Sequence, residues 1–172
     1  TVEVLSSKSM HQAFTPVDPV REAETLHAIE RMTADLGADD CEITLREFAP
    51  ADVPAVLLRD PEAERRLERR REQAEAEGGW RALLGSFDQG DEPIVARTLV
   101  LNDANPTVRT LLTAHDSPEL PAAFRTIYYS AVLLTGEGLT ARDAASLSAS
   151  LGVLLTAALT DPQEGPRDGR EN

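Results

Sequence analysis

The sequence of 172 residues has one cysteine, Cys41, and one lysine, Lys8. A single cysteine excludes an intramolecular disulfide and a cysteine-based metal cage. No apolar run reaches the roughly 18 to 20 residues that span a bilayer, and there is no signal-peptide pattern. A Gly-rich phosphate loop, a Walker-type lysine and a nucleophile elbow are also absent from the sequence. We therefore expect a soluble, cytoplasmic protein with no catalytic residue and no cofactor of its own.

The charge balance also narrows the classes of function that fit the sequence. Acidic side chains outnumber basic ones by 30 to 17, which gives a net charge of −13. Such a field repels phosphate backbones, so it argues against a nucleic-acid partner. Apolar residues make up 41% and charged residues 27%, the balance of an ordinary globular protein. The length predicts about one domain, which is large enough to build a hydrophobic core.

Residue types that bind metals or perform nucleophilic chemistry are few and scattered. His11, His27 and His115 are far apart, with no recognisable metal-ligand spacing. The acidic stretch 35–40 does not fit a calcium loop, because its glycine is misplaced. Cys41 starts an alternating strand on its apolar side, so we interpret it as a core residue rather than a nucleophile. No metal site is predicted.

The first half of the chain alternates helix and strand signals. Residues 6–17 show neither helical nor strand periodicity, which predicts a loop. Asp18-Pro19 is a helix start, and Gly37 follows the last apolar position as a C-cap. From Cys41 apolar residues alternate with polar ones, which predicts a strand, and residues 55–58 predict a second strand.

A second Asp-Pro start opens a very different helix at residue 60. Between Asp60 and Glu77 glutamate alternates with arginine, and Leu67 is almost alone as a large apolar residue. We interpret this segment as a solvated helix held by charge pairs three and four residues apart, the alternative being a surface for a charged partner. Gly78-Gly79 is expected to interrupt it before a short amphipathic patch over residues 80–87.

The second half predicts one strand and three helices. Residues 94–101 are the strongest strand signal, and Asn105-Pro106 starts a helix that continues through Leu112. A longer helix follows from Ser117-Pro118 to about residue 135, and the last helix runs from Thr140 to about residue 159. The pattern predicts an α+β fold with a small antiparallel or mixed sheet of about three strands. Residues 161–172 are expected to be a disordered tail.

The last two helices carry apolar residues at heptad spacing, and joined by a short glycine turn they predict an antiparallel hairpin. Tyr128, Val132, Leu133, Val153 and Leu155 would remain uncovered on a lone hairpin. We therefore predict a homodimer in which two hairpins form a four-helix bundle, in preference to packing of the stripes on the chain's own sheet. The predicted interface residues are Leu120, Phe124, Ile127, Ala131, Leu134, Ala144, Leu147, Leu151, Leu154 and Ala158.

Several segments resemble the C-terminal domain of heat-shock protein 90 chaperones. Strand 97–102, ending Leu-Asn, and the following Asn-Pro-Thr-Val of 105–108 resemble that family's "leucine-asparagine, then proline-x-valine" segment. The stretch 127–139, with its leucine pair and glycine turn, is similar to the family's penultimate helix. Residues 41–58 are similar to its preceding strand pair. The resemblance covers about residues 20–160 and fits the bacterial type, high-temperature protein G, because the eukaryotic acidic docking tail is missing.

The resemblance implies a role and a domain layout. Residues 18–160 would be the C-terminal dimerisation domain of an ATP-dependent chaperone of the stress response, and residues 1–17 the end of a preceding domain or a connector. ATP and Mg²⁺ would bind elsewhere in the parent protein, which would be the ATP hydrolase. The expected partners are a second copy and unfolded or partly folded client proteins, with no nucleic acid or membrane. One alternative is a stand-alone acidic dimeric adaptor without a chaperone ATPase, and a third, weaker one is a small enzyme whose site the sequence does not reveal.

The family also places an exposed, client-binding amphipathic helix between the second and third strands. By resemblance this position falls on Trp80, Leu83, Leu84 and Phe87, whose spacing puts them on one helical face. The alternative interpretation is that these residues cap the sheet. The two interpretations differ in exposure, because a client surface must leave its aromatic rings in water.

Overall fold

The computed structural model describes residues 14–37, 40–84, 94–114 and 117–160, with the backbone alone for 73–84. These residues confirm the predicted α+β class. The predicted tail 161–172 and most of the predicted connector 1–17 lie outside them. The strands are β1 (Thr15–Pro16), β2 (Cys41–Glu47), β3 (Ala55–Arg59) and β4 (Arg97–Asn102). The helices are α1 (Pro19–Leu36), α2 (Pro61–Leu84), α3 (Pro106–Thr113), α4 (Leu120–Leu134) and α5 (Ala141–Thr160).

The strands form one mixed sheet in the order β1-β2-β4-β3. β4 lies between β2, which runs parallel to it, and β3, which runs antiparallel. The described residues thus contain four strands, where about three were predicted. The additional strand, β1, consists of two residues that pair with the end of β2, Thr15 opposite Glu47. Two residues are too few to show an alternating pattern.

One face of the sheet carries the core. In β2 the alternation is as predicted, with Cys41, Ile43 and Leu45 buried. Leu99 and Leu101 of β4 point to the same face and are fully buried. α1 packs against β2 and α4 packs against β3, so two helices cover this face. The hydrophobic core therefore lies between the sheet and these helices.

The helix starts are fixed by the predicted caps. The Asp18 carboxylate accepts from the backbone amide of Val20 at 2.8 Å, and the Asn105 side chain accepts from that of Val108 at 3.1 Å. Proline follows each cap, where its missing N–H costs no helix hydrogen bond. Gly37 ends α1 in the left-handed region, with φ 60°.

The charged helix α2 is longer than expected. It continues without a break through Gly78-Gly79 to Leu84, so the predicted interruption there is wrong. A helical glycine costs only about 1 kcal/mol relative to alanine, which is a bias and not a stop signal. In the described part of the chain α2 packs extensively against no other element, and among its described side chains, those of residues 61–72, Ala63 in the first turn is the buried one. Its exposed residues between 61 and 72 confirm the solvated character predicted for them.

A buried amide organises the loop between β2 and β3. The Asn102 side chain is fully buried at the end of β4 and donates to the carbonyls of Phe48, Pro50 and Val53 at 3.0, 3.3 and 2.9 Å. Its oxygen accepts from the amides of Phe48 and Ala104 at 3.2 and 3.1 Å. One side chain thus satisfies polar groups that would otherwise be buried without partners.

We therefore predict that Asn102→Ala destabilises the fold strongly. Each buried polar group left without a partner costs about 1–3 kcal/mol, so the loss in unfolding free energy should be about 3 kcal/mol or more. Urea denaturation measures it. Asp52→Ala, an exposed change in the same loop, is the control and should stay within about 0.5 kcal/mol of the parent. An Asn102→Ala variant as stable as that control would contradict this role.

Candidate functional site

The described chain ends in an antiparallel helix pair, as predicted. α4 and α5 pack against each other and are joined by residues 135–140, where Gly136 has φ 83°. The Thr140 hydroxyl oxygen accepts from the amide of Asp143 at 3.2 Å, and its hydroxyl donates to the Asp143 carboxylate at 2.7 Å. This local cap starts α5 directly after the turn. The hairpin is the site to which the sequence assigned dimerisation.

The structure corrects the interface predicted on α4. Leu120, Phe124, Ile127 and Ala131 are all buried in the chain's own core. Phe124 is only 1% exposed. Because β3 and the rest of the core already cover these side chains, they have no surface left for a second copy. The last predicted residue of this stripe, Leu134, is 69% exposed.

Two further residues of α4 were expected to be uncovered and are not. Tyr128 and Val132 are buried in the same core, whereas Leu133 is exposed as expected. α4 therefore gives almost its whole apolar surface to the subunit. Only its final turn, Leu133 and Leu134, still offers exposed leucines.

The predicted interface residues of α5 lie along one stripe of the helix, and the structure covers them to different degrees. α4 is the element that packs against α5, and the more covered side chains of α5 include Leu147, Ser150 and Leu154. Leu147 and Leu154 are therefore partly covered within the subunit's own hairpin, and their contact with a second copy stays a prediction. Ala144 and Ala158 are exposed.

The flank of α5 beside these covered residues carries a row of exposed leucines. Leu151, Leu155 and Leu159 are 41%, 62% and 84% exposed, and we call them the open leucine face. They recur every four residues, so they lie along one side of the helix. Val153 is also exposed. A row of large apolar side chains in water is characteristic of a surface that another molecule covers.

α5 is also long and apolar by a membrane criterion. An 18-residue window of this 20-residue helix has a mean hydropathy of 1.4, and 6% of that window is buried. Among the described helices it alone passes this test, which considers length and composition only. Helices of soluble proteins pass it too, so a second copy and a lipid bilayer are both physically possible covers for this face.

The predicted client-binding residues lie at the far end of α2. Trp80, Leu83 and Leu84 fall in its last turns, and their backbone is continuous with the charged helix. Phe87 lies outside the described residues. Trp80, Leu83 and Leu84 belong to one long helix rather than to a separate short one. Whether these side chains contact clients stays a prediction.

Cys41 and Arg97 begin two neighbouring strands at one end of the sheet. Cys41 is buried, and burial raises the pKa of its thiol, which keeps it protonated and unreactive. Arg97 donates to the Asp40 carboxylate at 2.9 Å and to the Tyr128 hydroxyl at 3.3 Å. The contact with Tyr128 ties α4 to the sheet, and the burial of Cys41 supports its interpretation as a core residue.

A second ion cluster stands at the opposite end of the sheet. The carboxylate of Asp103 is nearly buried and accepts from the guanidinium groups of Arg21 at 3.1 Å and Arg109 at 3.4 Å. Arg21 lies in α1 and Arg109 in α3, so one carboxylate holds two helices to the end of β4. The three charges neutralise one another in part, and we interpret the cluster as a contact that stabilises the fold.

Chemistry-bearing residues do not converge elsewhere in the described residues. His27 is exposed on α1, and His11 and His115 lie outside the described ranges. Within those ranges no group of three histidine, cysteine or carboxylate side chains is placed to hold a metal ion. The chain matches no protein-family model and no curated protein sequence. The open leucine face is therefore the feature from which a function has to be argued.

The buried and the exposed side chains of the hairpin predict losses of stability of very different size. Phe124→Ala should cost about 3–5 kcal/mol of unfolding free energy, because it leaves a cavity in the core. Leu155→Ala should cost the dilute protein less than about 0.5 kcal/mol, because that side chain already lies in water. Urea denaturation at low protein concentration measures both. A large loss for Leu155→Ala would show that the open leucine face packs within the subunit.

Proposed function

We propose that this chain is the dimerisation domain of an ATP-dependent chaperone of the heat-shock protein 90 family. The observation that carries the proposal is the open leucine face on α5, the terminal helix of the hairpin. Complete burial of one leucine is worth about 1.5–3 kcal/mol. A two-fold contact buries each leucine of the face twice, once on each subunit. That driving force favours a second copy as the cover.

The family part of the proposal is supported by the order of the motifs along the fold. Strand β4 ends in Asn102, and α3 begins directly after it with Pro106. α4 and α5 follow as the hairpin. This order of strand, short helix and two longer helices agrees with what the resemblance implies for residues 97–160. The family assignment rests on those segments together and not on a single diagnostic residue.

In this proposal the chain works mechanically. Holding two ATPase arms in one dimer raises their effective concentration, so that they can close on each other. ATP and Mg²⁺ bind in the parent protein outside this chain, and clients contact the end of α2. No catalytic group is needed in the dimerisation domain.

A second candidate is an acidic dimeric adaptor that has no chaperone ATPase. It is favoured by α2, whose charged residues beyond the first turn, residues 65–72, are mostly exposed. Such a helix is a ready surface for a protein partner. Both candidates require the same dimer, and they differ in whether ATP hydrolysis depends on it.

The dimer is tested by charge substitutions on the open leucine face. Leu155→Asp and Leu151→Asp each bury an uncompensated charge twice in the dimer, which costs several kcal/mol, so the dissociation constant should rise at least about a hundredfold. Sedimentation equilibrium measures it. Leu26→Asp on α1 is the matched control, because Leu26 is a leucine of similar exposure, 55%. It should leave the dissociation constant unchanged.

Two outcomes would contradict the dimer. One is a dissociation constant that Leu155→Asp and Leu26→Asp leave equally unaffected. The other is an unmodified protein that stays monomeric at micromolar concentration and floats with liposomes in a density gradient. That second result would assign α5 to the membrane instead.

The chaperone and the adaptor separate in the parent protein. If this is a chaperone domain, Leu155→Asp should lower ATP turnover per subunit at least about tenfold, because the arms lose their effective concentration. Fusing a dimeric coiled coil after residue 172 should restore it. ATP turnover that neither Leu155→Asp nor the fused coiled coil alters, or a parent protein without ATPase activity, would favour the adaptor.

A further inference from the structure

Three elements meet at one guanidinium group, that of Arg59 at the end of β3. Its Nε donates to one carboxylate oxygen of Glu64 at 2.6 Å, and its Nη2 donates to the other at 2.7 Å. Its Nη1 pairs with the carboxylate of Glu137. Glu64 belongs to the first turn of α2, and Glu137 to the turn between α4 and α5. The charged helix and the hairpin are therefore bound to the same side chain.

The geometry uses the planar fork that only arginine provides. One edge of the guanidinium, Nε and Nη2, is filled by the two oxygens of Glu64, and the remaining nitrogen points to Glu137. A lysine ammonium has no such pair of parallel donors. The contact with Glu64, followed by the weaker effect of Glu137, raises the pKa of Arg59 above its ordinary value.

The two ion pairs are not independent. All three side chains are partly exposed, and an isolated pair of that kind contributes little, partly because ordering its long side chains opposes it. Here the bidentate bond to Glu64 already fixes the guanidinium, so Glu137 binds an arginine that is in place. Breaking the bond to Glu64 releases the arginine and weakens the bond to Glu137.

We infer that Arg59 is an ionic joint that couples the first turn of α2 to the α4–α5 turn. A displacement of α2 that breaks its bond to Arg59 makes the α4–α5 turn easier to open. A displacement of the turn likewise makes the first turn of α2 easier to open, although the two carboxylates come from different elements. By linkage the coupling is equal in both directions. Its role in chaperone action, in which a client held on α2 alters the dimer, rests on the proposed function. The coupling itself does not.

Other contacts hold both elements in place when the joint is broken. Leu139 packs on the core, and the Tyr129 hydroxyl lies 3.5 Å from the Asp143 carboxylate. At the start of α2 the Asp60 carboxylate accepts from the amides of Glu62 and Ala63 at 2.9 and 3.1 Å. Variants of Glu64 or Glu137 should therefore fold, and their effect should be confined to local opening.

The decisive variant is Glu64→Gln, read out far from the substitution. The amides of Gly136 and Ala144 accompany the turn and are hydrogen-bonded to Leu133 and Thr140, so hydrogen exchange reports on its opening. We expect Glu64→Gln to speed their exchange about three- to tenfold, which lies in the lower part of the range of coupling between side chains in one network. Glu137→Gln should likewise speed exchange of the amides of residues 62–64. Glu68→Gln, an exposed glutamate one turn further along α2, is the matched control and should do neither.

Salt provides a second readout, and concentration separates this inference from the proposed function. In the unmodified chain, raising the salt to about 1 M should bring the exchange rate of the turn amides close to that in Glu64→Gln, because exposed ion pairs are screened.

Each exchange experiment is run at a low and a high protein concentration, which separates this inference from the proposed dimer. A protein that is monomeric throughout would contradict the dimer but would still show the joint. Exchange of the turn that is identical in the parent, Glu64→Gln and Glu68→Gln would overturn the joint even if the dimer forms.

Discussion

The contact between α4 and the sheet determines how the rest of the molecule is arranged. Phe124, Ile127 and Ala131 fill the core under β3, and an apolar side chain can be buried against only one surface. Because the apolar stripe of α4 packs against the sheet, α4 covers α5 along one side only. The open leucine face is the consequence. The surface that drives association in this account is thus created by the packing of the subunit itself.

Polar side chains complete this arrangement at both ends of the sheet. Asn102 fixes the β2–β3 loop at one end of the sheet. At the other end Arg59 and Arg97 each donate hydrogen bonds to a carboxylate. The ion pairs made by Asp40, Glu64 and Asp103 each involve a residue at the end of a strand, where the sheet holds it in position and where helices and turns begin. These contacts give position to elements that bury little apolar surface, the charged helix α2 above all.

Local signals in the sequence predicted local structure. The alternation from Cys41, the Asp-Pro starts and the Asn105 cap are each decided within a few residues, and the structure confirms them. What depends on distant residues was not predictable: β1 requires β2 as its partner, and Arg59 requires Glu137 from a far turn. The apolar stripe of α4 was recognised, but its period is the same whether it packs on a sheet or on a second copy.

Hydroxyl-radical footprinting of the unmodified chain at rising concentration tests the central claim most directly, because it reports the exposure of single leucine and valine side chains. The account predicts that labelling of Leu151, Leu155 and Leu159 falls as the protein is concentrated. Val20 and Leu26, which are exposed on α1, should be labelled equally throughout. Labelling of the open leucine face that stays constant into the range of hundreds of micromolar, or protection that develops on α1 instead, would contradict the account.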